Sequence, residues 1–169
     1  RPHGLRDAGR GLRLALERNQ RERGPLRDEE ILRLFREIMS ACLAQQEPLK
    51  IGLILPYSGQ FADTATQMDN GIKLYMQKHG DTVAGRKIEI IRKDTGGIAP
   101  DVAKRLAQEL IVRDKVDMLA GFSLTPNAMA AADISAQAKK FMVVMNAAAS
   151  IVTTKSPYLA RVSFTLPQL

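Results

Sequence analysis

The apolar residues in the first part of the chain follow a helical spacing. Gly24 and Pro25 interrupt the chain, Asp28 can cap a helix N-terminus, and acidic residues follow it in the first turn. Apolar positions then recur at i, i+3, i+4, i+7, i+11 and i+12, namely at Ile31, Leu34, Phe35, Ile38, Cys42 and Leu43. We therefore predict an amphipathic helix that ends before Pro48. A weaker helix is predicted over residues 10–21, where glycine lowers the helix propensity.

From Lys50 onward the pattern changes to short apolar runs that alternate with helical segments. The predicted strands are KIGLIL, RKIEIIRKD, VDMLAGF, FMVVMNA and YLARVSF. Repeated β-α units predict an α/β fold with a parallel, doubly wound sheet and right-handed crossovers, preceded here by an α-helical segment. The chain ends just after the last predicted strand, so we expect this sheet domain to be truncated.

The type of basic residue changes near the junction of the two patterns. Every cationic side chain before Lys50 is arginine, whereas lysine outnumbers arginine after it. The two side chains differ chemically and globular surfaces usually mix them, so the change indicates segments of different origin. We expect two domains, at residues 1–47 and 48–169. Whether such a fusion is natural, engineered or an assembly artefact stays open at this point.

The net charge of +7 suggests an anionic partner, but its distribution argues against nucleic acid. Basic residues are interleaved with acidic ones, and aromatic residues do not alternate with them as a stacking surface requires. The sequence has no run of about 18 apolar residues and no signal-peptide pattern at its start. The single cysteine, Cys42, excludes an internal disulfide. No metal-ligand, cofactor or catalytic motif is recognisable, so we expect neither catalysis nor a cofactor.

Small polar residues follow three of the predicted strands, in the loops YSGQ, GFSLTPN and NAAAS. The carboxyl ends of parallel strands share one sheet edge, where helix N-termini offer free N–H groups to an anion. Ser123 and Thr125 therefore suit a carboxylate, with N-capping by Thr125 as the alternative. The three loops together predict a binding crevice. The stretch DTGG at 94–97 is predicted as a surface turn rather than an aspartic-protease motif.

The stretches ERN at 17–19, GPL at 24–26 and DEEILRLFREIMSACLA at 28–44 carry a first resemblance. They are similar to the C-terminal part of an AroQ-type chorismate mutase domain, as found in bifunctional chorismate mutase–prephenate dehydratases. The resemblance implies an all-helical dimer, with mutase-like site positions at Asp7, Arg10, Cys42 and Gln46. The family's long first helix and its cationic residues are missing, and Gly11 replaces a glutamate. We therefore expect no mutase activity.

The stretches PLKIGLILPYSGQFA, NGIKLYMQKHG and GRKIEIIRKDTGG carry a second, longer resemblance. They are similar to the N-terminal lobe of type I periplasmic solute-binding proteins, in particular the Leu/Ile/Val-binding receptors of ABC transporters. The resemblance implies a ligand held between two lobes by N–H groups and hydroxyls. It places ligand-binding positions at Ser58, Gln60, Ser123, Leu124, Thr125, Ala147, Ala148 and Ser150. Ala149 stands where many relatives have threonine.

The longer resemblance sets the expected function, which is solute binding for an ABC-type importer. The expected ligand is a small amino acid or an organic acid, aromatic acids included, and one lobe alone should bind it weakly or not at all. The alternative is an enzyme of phenylalanine biosynthesis of the chorismate mutase/prephenate dehydratase type, present as an N-terminal fragment. Expected partners are the solute and an ABC permease, with a dimer through the N-terminal helices left open. The resemblance implies a periplasmic location, or a cytoplasmic one if the chain is made as given.

Overall fold

A computed structural model of the chain describes residues 10–14, 16–17, 28–44 and 47–168. Two compact units are present: residues 1–47 with 82–86 form the first, and residues 48–81 with 87–169 form the second. The helices are α1 (Asp28–Ala44), α2 (Ala62–His79), α3 (Pro100–Val112) and α4 (Thr125–Gln137). The strands are β1 (Leu49–Leu55), β2 (Thr82–Val83), β3 (Arg86–Asp94), β4 (Met118–Gly121), β5 (Phe141–Val144) and β6 (Leu159–Arg161). Short 3-10 helices occur at Gly59–Phe61, Ser150–Thr154 and Leu166–Gln168.

The first unit contains α1, which begins at Asp28 and ends at Ala44, as the apolar spacing predicted. Residues 10–14 and 16–17 are also helical and lie within the weaker predicted helix. Leu34 and Ile38, on the predicted apolar stripe of α1, are 47% and 59% exposed. The amphipathic pattern is therefore real, but these two members of the stripe are not buried within the chain.

The sheet of the second unit is parallel, in the order β3-β1-β4-β5-β6. Helix α2 packs on one face, with Leu53 and Leu55 of β1, whereas α3 and α4 pack on the opposite face, with Ile54. The connections therefore change sides between β1 and β4, and doubly wound sheets bind ligands at such a reversal. The predicted doubly wound α/β fold is confirmed.

The larger core lies on the α3 and α4 side, where Leu110, Leu119 and Met142 are fully buried. Strand β1 has a buried apolar residue on both faces, which explains why its sequence is a continuous apolar run rather than an alternating one. In the parts of the chain that the structure describes, no helix combines the length and the apolar character needed to cross a bilayer.

Candidate functional site

Four loops follow β1, β3, β4 and β5 and therefore lie at the carboxyl edge of the sheet, at residues 56–61, 95–99, 122–124 and 145–149. Backbone hydrogen bonds connect them to neighbouring strands. The N–H of Phe122 donates to the carbonyl of Ile54 at 2.9 Å, and the N–H of Met145 donates to the carbonyl of Gly121 at 2.7 Å. Because the loops after β1 and β4 lead to opposite faces of the sheet, we expect them to form the two sides of the predicted crevice.

The carboxylate of Asp94 holds the loop after β1 in place by hydrogen bonds. Its Oδ1 accepts hydrogen bonds from the N–H groups of Tyr57 at 2.7 Å, Ser58 at 3.3 Å and Gly96 at 2.8 Å. Burial alone would raise the pKa of Asp94, but a hydrogen bond from the Ser58 hydroxyl and these three N–H bonds outweigh it and lower the pKa. Asp94 is thus the last residue of β3, the rest of the predicted turn belongs to the loop after β3, and the Asp94 carboxylate holds the loop after β1 in place.

The turn after β4 presents Ser123 with a buried hydroxyl. Gly121 and Phe122 have φ angles of +108° and +58°, and two successive residues in this region turn the chain sharply. Ser123 is 8% exposed, and its Oγ has no hydrogen-bond partner among the described residues. Burying a hydroxyl without a partner costs about 1–3 kcal/mol. A ligand that hydrogen-bonds to Ser123 would offset part of that cost.

Helix α4 begins at Thr125, directly after this turn. The N-cap position is occupied by Leu124, which makes no side-chain capping bond, so the alternative that Thr125 caps the helix is wrong. Pro126 suits the start of a helix because its missing N–H would have no intrahelical partner there. The remaining N–H groups of the first turn and the positive end of the helix dipole are directed at the region that the sequence assigned to an anion.

The side chain of Asn127, which is 3% exposed, ties α4 to the loop after β3. Its Oδ1 accepts a hydrogen bond from the N–H of Ala99 at 2.9 Å. Its Nδ2 donates to the carbonyl of Gly97 at 2.8 Å and to Oγ1 of Thr95 at 3.4 Å. The sequence did not indicate these roles for Asn127 and Asp94. For Asn127 a usable signal was its position as a polar residue in the first turn of a helix that otherwise has mostly small residues.

The loop after β5 is fixed by hydrogen bonds on both sides. The N–H of Ala147 donates to the carbonyl of Phe122 at 3.3 Å, and the carbonyl of Ala148 accepts from the N–H of Leu166 at 3.1 Å. Its side chains at 147–149 are single methyl groups. A ligand can therefore approach the backbone of this loop closely, which is the role that the sequence assigned to it.

An ionic cluster around the buried Asp69 lies next to the loop after β1. Asp69 of α2 is 5% exposed and contacts Nε of Arg92 and Nζ of Lys73, each at 2.8 Å. Burial would raise the pKa of Asp69, but hydrogen bonds from Lys73 and Arg92 outweigh it and lower the pKa. Burial and then the charge of Asp69 raise the pKa of Tyr57 to about 12. The hydroxyl of Tyr57 is thus kept neutral.

The structure brings the predicted ligand positions of all three loops to one sheet edge. They are Ser58 and Gln60 after β1, Ser123 to Thr125 after β4, and Ala147, Ala148 and Ser150 after β5. Their contact with a ligand stays a prediction. Of the mutase-like positions, Arg10 is exposed and Cys42 lies in α1, while Asp7 and Gln46 lie outside the described residues.

Other candidate sites on the described residues are less suited to a polar solute. A cavity of about 510 Å³ on the α2 side of the sheet is lined mainly by apolar side chains, among them Ile51, Met68, Ile72 and Met145. It contains none of the predicted ligand positions. No group of three or more His, Cys, Asp or Glu side chains in the described part of the chain could hold a metal ion.

A parallel sheet, a reversal of the connections and a helix N-terminus at the carboxyl edge define the second unit as a doubly wound α/β domain of the kind that binds ligands at this edge. The sequence profile described as "Periplasmic binding protein" matches residues 48–169. The chain belongs to the periplasmic binding protein family, as the second resemblance predicted.

Individual relatives agree with this family. Leu/Ile/Val-binding protein homolog 6 of Brucella abortus is 44% identical over 127 residues, which are 75% of this chain and 33% of that protein. A solute-binding protein of an ABC transporter from Rhodopseudomonas palustris BisB5, solved in complex with 3,4-dihydroxybenzoic acid, is 58% identical with a TM-score of 0.70, over 72% of this chain and 33% of that chain. A leucine-binding protein from Thermotoga maritima is 27% identical with a TM-score of 0.67, over 71% of this chain and 34% of that chain. The chain therefore spans about a third of the length of these relatives.

A shorter stretch of the chain is similar to a different class of protein. The bifunctional chorismate mutase/prephenate dehydratase of Pseudomonas aeruginosa is 52% identical over 46 residues, which are 27% of this chain and 12% of that enzyme. Both resemblances found in the sequence are thus confirmed. The mutase-like one covers a small fraction of the enzyme.

Proposed function

We propose that residues 48–169 form one side of the solute site of an ABC-type importer, and that the solute is a small aromatic carboxylic acid. The observation that carries this proposal is the buried, unpaired Oγ of Ser123. It lies immediately before α4, where free N–H groups and the helix dipole favour a negative charge. A carboxylate is the common polar group that matches a hydroxyl donor and backbone N–H donors together.

Charges in the crevice support one orientation of the solute. The carboxylate of Asp94 lies at the loop after β1 and repels a second carboxylate. The N-terminus of α4 lies at the other side of the crevice, after β4, and attracts one. The solute carboxylate therefore binds beside Ser123, and the remainder of the molecule extends toward the loop that carries Ser58 and Gln60.

The choice of an aromatic acid is supported by the relative of higher identity. That protein, at 58% identity, was solved with 3,4-dihydroxybenzoic acid, whereas the leucine-binding relative is 27% identical. The two solutes share a carboxylate and differ in the amino group and the ring. The described loops supply donors for the shared carboxylate, and the higher identity of the first relative supports an aromatic acid as the solute.

The test is an NMR titration of the 15N-labelled chain with 3,4-dihydroxybenzoate, and in parallel with leucine. We expect saturable amide shifts at residues 123–125 and 147–150 with the aromatic acid, at weak affinity because one lobe covers only part of a ligand. Ser123→Ala should weaken binding by about tenfold or more, because a hydrogen bond to a charged group contributes about 1.5–3 kcal/mol. Thr66→Ala, which removes an exposed hydroxyl of α2, is the matched control and should leave the affinity unchanged.

Two outcomes would contradict the proposal. One is the absence of saturable shifts in these loops at millimolar ligand, with the chain folded. The other is shifts confined to the apolar cavity on the α2 side, because the crevice would then not be the site.

We also propose that the chain acts by binding without catalysis. This is supported by its family, which is one of binding proteins, and by the short extent of the mutase-like similarity. The partner permease and a dimer through α1 stay predictions. Incubation of the chain with chorismate should give no loss of chorismate absorbance above a protein-free control, with an authentic mutase as the positive control. Turnover proportional to the concentration of the chain would overturn the proposal.

A further inference from the structure

Arg161 ends β6 at the same sheet edge as the ligand loops. The strand registers pair Gly121 with Val144 and Val144 with Arg161, so the three residues lie side by side across the sheet. Arg161 is half-buried. Its place in the fold is therefore next to the loop after β5, although no sequence motif assigned it a role.

The guanidinium of Arg161 holds the loop after β5 by its backbone. Its Nη1 donates to the carbonyl of Ala149 at 2.9 Å and, more weakly, to the carbonyl of Ala147 at 3.5 Å. All peptide bonds of the described chain are trans, and in a trans peptide the N–H points opposite to the C=O. The N–H groups of Ala148 and Ser150, which share peptides with these two carbonyls, therefore point away from Arg161.

Among the described residues, no carboxylate neutralises the charge of Arg161. Other arginines of this unit, Arg92, Arg105 and Arg113, each form an ion pair with Asp or Glu. No ion pair formed by the described residues includes Arg161, which is bonded to backbone carbonyls instead. A half-buried cation without a counter-ion favours a negative charge nearby.

We propose that Arg161 is a positioning residue that directs the N–H groups of Ala148 and Ser150 and makes the crevice select a carboxylate over a neutral isostere. The inference rests on the proposed function, since it concerns the same solute site. Arg161 acts through the loop after β5 and through its field, while Ser123 and the N–H groups make the contacts. The crevice then has a negatively charged residue, Asp94, at one end and a positively charged residue, Arg161, at the other.

The test compares 3,4-dihydroxybenzoate with 3,4-dihydroxybenzamide, which keeps the ring and hydroxyls but has no charge. Affinities of both are measured by amide shifts for the wild-type chain, Arg161→Gln and Arg161→Lys. The wild type should prefer the carboxylate. Arg161→Gln should lower the carboxylate-to-carboxamide affinity ratio by about tenfold, as expected for one charge-assisted interaction. Arg161→Lys should keep most of the ratio, and its Ala148 and Ser150 amides should shift less on binding because lysine lacks the planar fork.

Arg105→Gln is the matched control, because it removes the same charge from an exposed arginine of α3. Its ratio should equal that of the wild type. The inference would be overturned if Arg161→Gln had the same carboxylate-to-carboxamide affinity ratio as the wild type. If Arg161→Gln does not fold, an equal affinity of Arg161→Lys for both ligands would overturn it instead. Failure of the proposed function would differ, because the wild type would then show no saturable shifts with either ligand.

Discussion

Replacing Gly121 with alanine should strongly destabilise the second unit. The φ angle of Gly121 is +108°, a conformation that side chains rarely adopt. A Cβ atom there would overlap the carbonyl oxygen of Ile54 and lie 3.0 Å from its carbonyl carbon. Both obstacles are backbone atoms of the central strand, which cannot move without breaking the sheet. We expect a loss of at least about 3 kcal/mol in the free energy of unfolding, from strain and displaced backbone together.

Urea unfolding followed by circular dichroism measures this effect, with Gly71→Ala as the matched control. Gly71 lies inside α2, and a Cβ atom there meets nothing within 4 Å. That substitution should increase the free energy of unfolding by about 0.5–1 kcal/mol, because glycine is a poor residue for a helix interior. Equal stability of the two variants would show that the turn after β4 is not built as described.

Replacing Asn127 with leucine should have the second-largest effect, because it removes the hydrogen bonds that join α4 to the loop after β3. Leucine has the same branched shape, but its methyl groups are larger than the amide atoms, so overpacking adds to the loss of the hydrogen bonds. The N–H of Ala99 and the carbonyl of Gly97 would lose their partner in a part-buried setting. We expect a loss of about 2–4 kcal/mol in the free energy of unfolding.

The same variant should also weaken solute binding, since Asn127 lies two residues after Thr125 in the first turn of α4. Stability is measured by urea unfolding and binding by the NMR titration with 3,4-dihydroxybenzoate. Gln137→Leu, an exposed amide at the end of the same helix, is the control and should change stability by less than about 0.5 kcal/mol. A stability loss equal to that of the control would exclude Asn127 as a structural link between the loops.

Asp94, Asn127 and Arg161 share one kind of role, since each holds a loop of the crevice by its backbone. Asp94 accepts from the loop after β1, Asn127 bridges the loop after β3 to α4, and Arg161 donates to the loop after β5. Loops that are fixed in this way lose less conformational entropy when a ligand binds. The crevice is thus organised before the solute arrives, even though the chain spans about a third of its relatives.

The elements were predicted from local patterns and the prediction was accurate where the pattern was strong. The apolar run of β1 and the helical spacing of α1 placed those elements to within a few residues. The two-residue β2 was missed, because so short a strand has no period. Thr125 was proposed as an N-cap on residue type alone. The helix begins at Thr125 itself, whereas an N-cap residue precedes the first helical residue.

The sequence by itself determined the fold class, the two families and the three loops of the candidate site. Periodicity, turn residues and motif identity are local properties, and they depend on residues that are close along the chain. Only the tertiary structure decided how the loops are held and charged. Asp94 meets Ser58, Asn127 meets Ala99 and Arg161 meets Ala149 across separations of 36, 28 and 12 residues. Likewise, the left-handed turn at Gly121 and Phe122 lies against Ile54 of β1, and the hydroxyl of Ser123 is buried by the fold. No local pattern records either feature.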